Sequence, residues 1–285
     1  MRMGRHIGLI GLIGLLLLAG CEVIPEEKQL IPLPNSEPVS NALLIEFTGF
    51  LCVNCPTAAE EAGKLQAKYP DNLVVVAMHP KDNHFTQTSK VEFDYTCPEA
   101  NVYYRHFGGS GTTPFPTGIV DMQQGWLDFP SWPTAVLTSV MQEKEGRLEL
   151  EISEVNESER RFTVSAGVFV DSSYPAVDNE AVVELMLWLV ADSVTGAQMM
   201  PDGSTNLEYT HRHMLRASLL EDPWGTFPTI VTGSKEICPV VKVNYQVTDS
   251  IGGKELPLSD YSIVGVLVEP ETKKLMDVQQ KKIMD

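Results

Sequence analysis

Basic residues are scarce in this sequence. It holds 21 lysines and arginines against 38 aspartates and glutamates, and its formal net charge at pH 7 is −17. Nucleic-acid binding needs a basic surface that neutralises phosphates, so the composition excludes nucleic acid as an expected partner. The same deficit argues against electrostatic adhesion to anionic lipid.

Long apolar segments are missing beyond the N-terminus. The one extended apolar run covers residues 7–18 and follows Arg2 and Arg5. It is shorter than the roughly 20 residues that a membrane-spanning helix needs. The run closes with Ala19-Gly20-Cys21, so the pattern predicts a cleaved signal peptide over residues 1–20.

The small-small-Cys ending resembles the lipobox of bacterial lipoproteins, in which the cysteine is acylated and becomes the first residue. This resemblance implies a lipid on Cys21 that anchors the chain to a membrane. The alternative is an ordinary signal peptide with a chance cysteine. Residues 21–38 are rich in proline and glutamate, which predicts an extended, solvated tether between the lipid and the first domain.

Four cysteines remain when Cys21 is set aside: Cys52, Cys55, Cys97 and Cys238. An exported location permits disulfides. The local C-x-x-C spacing predicts a Cys52–Cys55 disulfide, whereas the pairing of Cys97 and Cys238 stays open. A zinc site would need a second pair of ligands, and the sequence has no second C-x-x-C. We therefore expect neither a metal nor another cofactor.

The most informative segment is the one around the C-x-x-C pair. An apolar strand over residues 42–47 runs into a short turn that brings Cys52 and Cys55 to the start of a helix over 56–69. Free N–H groups and the dipole at a helix N-terminus favour a thiolate. Glu46 interrupts the apolar strand, and burial there should raise its pKa, as suits a proton acceptor near neutral pH. The alternative for Glu46 is an edge position that faces water.

Two patterns divide the rest of the chain. Residues 39–145 alternate strands and helices, which predicts a small α/β sheet. From residue 146 apolar and polar residues alternate, which predicts an immunoglobulin-like β-sandwich over 146–285. The predicted strands of the first part lie at 42–47, 72–79 and 118–122, and its helices at 56–69, 98–107 and 135–143. The seven predicted strands of the second part lie at 148–152, 162–170, 181–192, 207–219, 236–247, 262–269 and 274–283.

The order of features in the first part resembles thioredoxin-like proteins. Ile45-Glu46-Phe47 followed by Cys52-x-x-Cys55 is similar to their central strand and active-site turn, and Phe115-Pro116-Thr117 to their cis-proline loop. The resemblance implies that Cys52, the more exposed cysteine, attacks a partner's disulfide and that Cys55 resolves the mixed disulfide. It also implies that Glu46 accepts a proton beneath the disulfide and that Pro116 follows a cis peptide bond.

The turn also departs from that pattern. Leu51 stands where thioredoxins usually have tryptophan, Val53-Asn54 offers no positive charge to a thiolate, and Pro56 replaces a basic residue. These differences favour the alternative that the C-x-x-C pair is a static disulfide.

A second resemblance covers roughly residues 40–283, to the outer-membrane-protein-twenty-eight-related lipoproteins of anaerobic Gram-negative bacteria. Besides the C-x-x-C segment, Tyr209-x-His211-x-His213-x-Leu215-Arg216 and the later Trp224-Gly225 carry it. It implies a thioredoxin-like domain followed by a β-sandwich, anchored in the outer membrane. His211 and His213 are predicted to share one strand face, as structural or surface histidines rather than metal ligands.

Two functions follow as hypotheses. The first is an outer-membrane lipoprotein whose thioredoxin-like domain exchanges thiols and disulfides with exported proteins, through Cys52, Cys55, Glu46 and Pro116. The alternative is a cell-surface binding or adhesin-like lipoprotein, in which the sandwich binds a surface ligand and the Cys52–Cys55 disulfide is structural. The residues do not decide whether the protein faces the periplasm or the cell surface.

Overall fold

The computed structural model describes residues 37–87, 94–123, 125–178, 180–233, 238–251 and 255–284. The predicted signal peptide, Cys21 and the tether up to residue 36 lie outside these ranges and stay predictions. Within the described ranges, no helix is both long enough and apolar enough to cross a membrane.

The described part of the chain contains three α-helices and fourteen strands, besides short 3-10 helices. The helices are α1 (Cys55–Lys68), α2 (Pro98–His106) and α3 (Trp132–Val140). The strands are β1 (Ala42–Phe47), β2 (Leu73–Met78), β3 (Thr117–Val120), β4 (Gly146–Asn156), β5 (Arg161–Val170), β6 (Glu180–Val182), β7 (Glu184–Ala191), β8 (Val194–Met199), β9 (Thr205–His211), β10 (Met214–Ser218), β11 (Thr229–Val231), β12 (Cys238–Gln246), β13 (Tyr261–Val268) and β14 (Leu275–Lys282).

The first three strands lie next to one another as β2-β1-β3. β1 runs parallel to β2 and antiparallel to β3, and all three strands are buried along their whole length. Continuous apolar sequences are expected of parallel strands that are covered on both faces. The predicted strands and helices of this part are confirmed to within three residues. The largest differences are at the two ends of α3, which runs over Trp132–Val140 and not over 135–143.

One seven-stranded mixed sheet extends across the predicted domain boundary at residues 145 and 146. Its order is β14-β13-β7-β10-β2-β1-β3, so four strands from beyond residue 146 continue the sheet of the first part. The junction is a short parallel contact in which Met214 pairs with Ala77 and the Ala77 amide donates to the His213 carbonyl at 2.7 Å.

A shared apolar cluster joins the two parts of the chain as well. Ile45 and Val76 belong to the same buried cluster as Trp188 and Val264. The side chain of Asn41 donates to Asp277 of β14 at 2.9 Å and brings that edge strand to the start of β1. Residues from Glu37 onward therefore form one compact unit.

The predicted immunoglobulin-like sandwich is not confirmed. A three-stranded sheet, β12-β5-β4, does pack across an apolar cluster against β7 and β13. Those two strands belong to the large mixed sheet, and β6–β11 and β8–β9 form separate two-stranded ribbons. The single strands predicted at 181–192 and 207–219 are each divided in two. His213 has a φ of +56°, which breaks the second of them between β9 and β10.

Candidate functional site

The segment between β1 and α1 is a tight turn built on main-chain hydrogen bonds. The Thr48 amide donates to Met78 at 3.0 Å, the Leu51 amide to Phe85 at 3.0 Å, and the Cys52 amide to Gly49 at 3.0 Å. Gly49 is required here because a Cβ at this position would lie 2.6 Å from the Phe85 carbonyl oxygen. The turn is therefore fixed to the loop after β2 on both sides of Gly49.

A disulfide joins Cys52 and Cys55 across this turn, and their Cα atoms are 5.4 Å apart. Cys55 is the first residue of α1, and Pro56 occupies the first helical turn, where its missing N–H costs no hydrogen bond. The Cys55 sulfur thus lies at a helix N-terminus, as the sequence predicts, and this position favours its thiolate when the disulfide is reduced.

The expectation that Cys52 is exposed is wrong. Cys52 is 1% exposed and Cys55 is 2% exposed, so both cysteines are buried. The cause is the β8–β9 hairpin, residues 194–211, which lies against the turn. The Gln198 side-chain amide donates to the Cys52 carbonyl at 3.0 Å, and the Met199 amide donates to the Phe50 carbonyl at 2.8 Å.

Glu46 is buried in the interior of β1, between β2 and β3, so the edge position facing water is excluded. It is 3% exposed, and its Oε1 atom has no hydrogen-bond partner. Burial raises the pKa of Glu46 to about 8, against a smaller lowering effect of a hydrogen bond with Thr48. The carboxyl therefore exchanges its proton near neutral pH, as the sequence predicts.

The Phe115–Pro116 peptide bond is cis, as predicted, and no other cis bond occurs in the described residues, so the alternative Pro114 is not the cis-proline. β3 follows directly, and its first residue, Thr117, pairs with Phe47 at the end of β1. Phe115 belongs to the apolar cluster that also contains both cysteines of the disulfide. Pro116 thus directly precedes the strand that pairs with β1.

Cys97 is a free, buried thiol at the N-terminus of α2. The side chain of Cys238 lies outside the described part of the structure. Burial raises the pKa of Cys97 to about 12. It therefore stays protonated at neutral pH and is a poor nucleophile.

A group of buried aromatic and imidazole rings lies beside the turn. The His211 ring lies 5.9 Å from His79 and 4.9 Å from both Tyr95 and Tyr209. The Nδ1 atom of His79 has no partner, and burial keeps the pKa of His79 well below its ordinary value. The carboxylate of Glu46 adds to burial in raising the pKa of Tyr209, which links this group to the Glu46 site.

His211 and His213 do not share a strand face, contrary to the prediction. The ring of His211 lies 3.3 Å from the Ala197 carbonyl of the hairpin, whereas His213 lies in the turn before β10, where its amide donates to Asp192 at 2.7 Å. The last residue of the motif over 209–216, Arg216, makes a buried ion pair. The Arg216 guanidinium is buried and binds both carboxylate oxygens of Asp249.

Sequence reasoning missed Gln198 and His79. Gln198 lies in a strand that was not predicted, and no local pattern indicates that its amide contacts a residue 146 positions away. His79 is the last residue of the strand predicted at 72–79 and directly follows β2, so its position at the carboxyl end of a buried strand was the available signal.

Several solved structures are similar to this chain. HBP35 of Porphyromonas gingivalis superposes with a TM-score of 0.64 at 16% identity, covering 87% of this chain and 76% of that one. A crystal structure of a protein from Agrobacterium tumefaciens has a TM-score of 0.49 at 12% identity, and the match covers 88% of this chain and 97% of that one. A domain of the outer membrane lipoprotein Omp28 from P. gingivalis has a TM-score of 0.34 at 15% identity, and the match covers 50% of this chain and 89% of that one.

The likeness to HBP35 shows a shared fold alone, because the identity is low. No protein-family model matches the sequence. No curated protein matches it either.

Proposed function

We propose that this protein is a thiol–disulfide exchange protein of the thioredoxin-like class that acts on exported proteins. The succession of β1, the C-x-x-C turn, α1, the parallel β2 and a cis-proline before the antiparallel β3 supports this proposal. These elements follow one another in the same order as the sequence features that resemble thioredoxin-like proteins.

One observation carries the proposal: a buried carboxyl with an unpaired oxygen leads into the disulfide turn. Leaving a buried polar atom without a partner costs about 1–3 kcal/mol. Glu46 meets this description, and its pKa of about 8 lies near neutral pH. Perturbed carboxyls of this kind concentrate at functional sites, where they transfer protons.

The chemistry assigns a role to each residue. In the reduced protein the Cys52 thiolate attacks a partner's disulfide, and one partner sulfur leaves as a thiolate. Cys55, at the N-terminus of α1, then attacks the Cys52 sulfur and releases the partner's second thiolate. Glu46 accepts the Cys55 proton, and Pro116 packs at the flank of the disulfide. The reverse sequence oxidises a partner dithiol.

The experiment is a trapping assay with purified protein and periplasmic extract. Cys55→Ala keeps the attacking thiol and should accumulate mixed disulfides that dithiothreitol releases. Cys52→Ala, the matched control, should trap nothing. The proposal fails if the wild-type protein reduces no insulin disulfide and Cys55→Ala captures no partner.

The second candidate is a surface binding or adhesin-like protein with a static disulfide. The observation in its favour is the burial of both cysteines, which limits the access of any partner. It predicts that Cys52→Ala together with Cys55→Ala leaves ligand binding intact and lowers only stability. Cells that carry the double variant should then adhere as the wild type does.

We further propose that the chain is an outer-membrane lipoprotein of the type related to the outer-membrane-protein-twenty-eight group, anchored through Cys21. The sequence motifs support this location. Metabolic labelling with radioactive palmitate should mark the wild-type protein and leave Cys21→Ser unlabelled. Protease treatment of intact cells then separates the two faces, because only a protein at the cell surface is cleaved.

A further inference from the structure

The β8–β9 hairpin is attached to the molecule by few contacts. It forms a two-stranded sheet of its own, outside the seven-stranded sheet. Five of the seven residues of β9 are exposed, among them Leu207 at 72%. Alternate residues of β8 are buried, whereas β9 buries little apolar surface. Segments of the second kind open at lower free energy than core strands do.

The inner strand of the hairpin makes hydrogen bonds with the C-x-x-C turn. The Gln198 side-chain amide donates to the carbonyls of Cys52 at 3.0 Å and Gly49 at 3.4 Å, and the Met199 main-chain amide donates to Phe50 at 2.8 Å. Gln198 is 3% exposed although it lies on a surface ribbon. Side chains alternate between the two faces of a strand, so Gln198 lies on the same buried face of β8 as Val194 and Gly196.

Three main-chain acceptors next to a reactive sulfur are what an extended polypeptide recognises. A strand that adds to exposed carbonyls gains affinity from its own N–H groups, whatever its sequence. The hairpin already donates to the carbonyls of Gly49, Phe50 and Cys52: the Met199 main-chain amide bonds to Phe50 and the Gln198 side chain to the other two. The Gly49 carbonyl also accepts the Cys52 amide within the turn.

We propose that the β8–β9 hairpin is an internal occupant of the partner-binding face of the C-x-x-C turn. Its displacement exposes Cys52 to an extended segment of an exported protein that carries a cysteine. The inference rests on the proposed function and adds to it the kind of partner and the control of access. The hairpin covers Cys52 through Gln198, and its residue Tyr209 lies within the electrostatic reach of Glu46.

The exchange that follows opening is balanced. A thiolate of a partner dithiol attacks the Cys52 sulfur, the Cys52–Cys55 bond breaks, and Cys55 leaves as a thiolate that takes up a proton. The second partner thiolate attacks the first partner sulfur and releases Cys52 as a thiolate, which is protonated in turn. The partner loses two electrons and two protons, and the disulfide of this protein gains them.

The test uses Gln198→Met, which keeps the length of the side chain and removes the amide. The rate of reduction of the wild-type disulfide by dithiothreitol is compared with that of the variant, and so is the rate of reoxidation by oxidised glutathione. We expect both rates to rise about tenfold, because net hydrogen-bond contributions correspond to factors of a few each. If the hairpin opens equally in the oxidised and the reduced protein, the two rates change by the same factor and the reduction potential stays unchanged.

A second variant opens the hairpin from its other side. A Cβ on Gly196 would overlap the Tyr95 hydroxyl, and that hydroxyl also accepts the Ala197 amide at 2.9 Å. Gly196→Ala should therefore displace the β8–β9 hairpin from the C-x-x-C turn and accelerate both reduction and reoxidation. This variant replaces Gln198→Met in the test if Gln198→Met does not fold. Gln246→Met is the matched control, since Gln246 is an exposed strand glutamine whose amide donates to the Glu159 carbonyl at 3.2 Å.

Wild-type rates in both hairpin variants would overturn the inference. So would a change in one rate alone with a shifted potential, because Gln198 would then tune the disulfide rather than its access. Failure of the proposed function has a different signature. In that case the rates with dithiothreitol respond to the variants, but neither the wild type nor Gln198→Met reduces a protein disulfide.

Discussion

The buried carboxyl of Glu46 makes stability depend on pH in an unusual direction. Its pKa rises from 4.5 to about 8 on folding. Between these values the native state keeps a proton that the unfolded state releases, so the free energy of unfolding falls as pH rises. Below about pH 4.5 both states are protonated, and above about pH 8 both are ionised, so the loss begins at the lower value and levels off at the upper one.

The structure gives the size of this loss. Each unit of pKa shift is worth about 1.4 kcal/mol, so a carboxyl raised to this extent loses about 4–5 kcal/mol of stability between pH 4.5 and pH 8. Glu46→Gln removes the titration and keeps the shape. Relative to the wild type, the variant should gain about 4–5 kcal/mol as pH rises from about 4.5 to about 8.

Denaturant unfolding of the oxidised proteins across this range measures the difference. Glu149→Gln is the control, because Glu149 also lies within a strand but is exposed. The buried histidines titrate in the wild type and the variant alike, so they cancel in the comparison. A gap between Glu46→Gln and wild type that stays constant with pH would refute the reasoning.

Three further predictions concern the frame around the site. Arg216→Met removes the only cationic partner that the described residues offer to the largely buried Asp249 carboxylate, which keeps a hydrogen bond from Tyr261, and should cost about 3–5 kcal/mol in denaturant unfolding; a loss below about 1 kcal/mol, as for surface pairs, would contradict the burial argument. Gly225→Ala should lower the thermal midpoint, since Gly225 has a φ of +85° and a Cβ would collide with the Leu185 carbonyl; an unchanged midpoint would show that the loop adjusts freely. Burial lowers the pKa of His211 to about 4, so its contribution to stability is lost as pH falls from about 6.5 to 4; His211→Gln should flatten acid unfolding in that window, and an unchanged acid limb would exclude this group.

The sequence predicted the region around β1 and β2 well, for a physical reason. Both strands are apolar at nearly every position, and the turn between β1 and α1 carries its chemistry locally in Cys52 and Cys55. The burial and raised pKa of Glu46 were predicted correctly, because the neighbouring residues of its strand are all apolar.

The remainder depends on contacts that no local pattern encodes. The large sheet continues from β2 into β10 through one registered pair, Met214 with Ala77, so its extent was not predicted. β8 contains Gly196 and alternates weakly, and its position over the disulfide rests on Gln198. The exposure expected for Cys52 was wrong for the same reason.

The reduction potential of the Cys52–Cys55 pair tests the central claim most directly. Equilibration of the protein with dithiothreitol or glutathione buffers, followed by alkylation of the free thiols, gives this value. A protein that exchanges disulfides should have a potential between about −120 and −270 mV. A potential below about −300 mV would mark a structural disulfide and contradict the account.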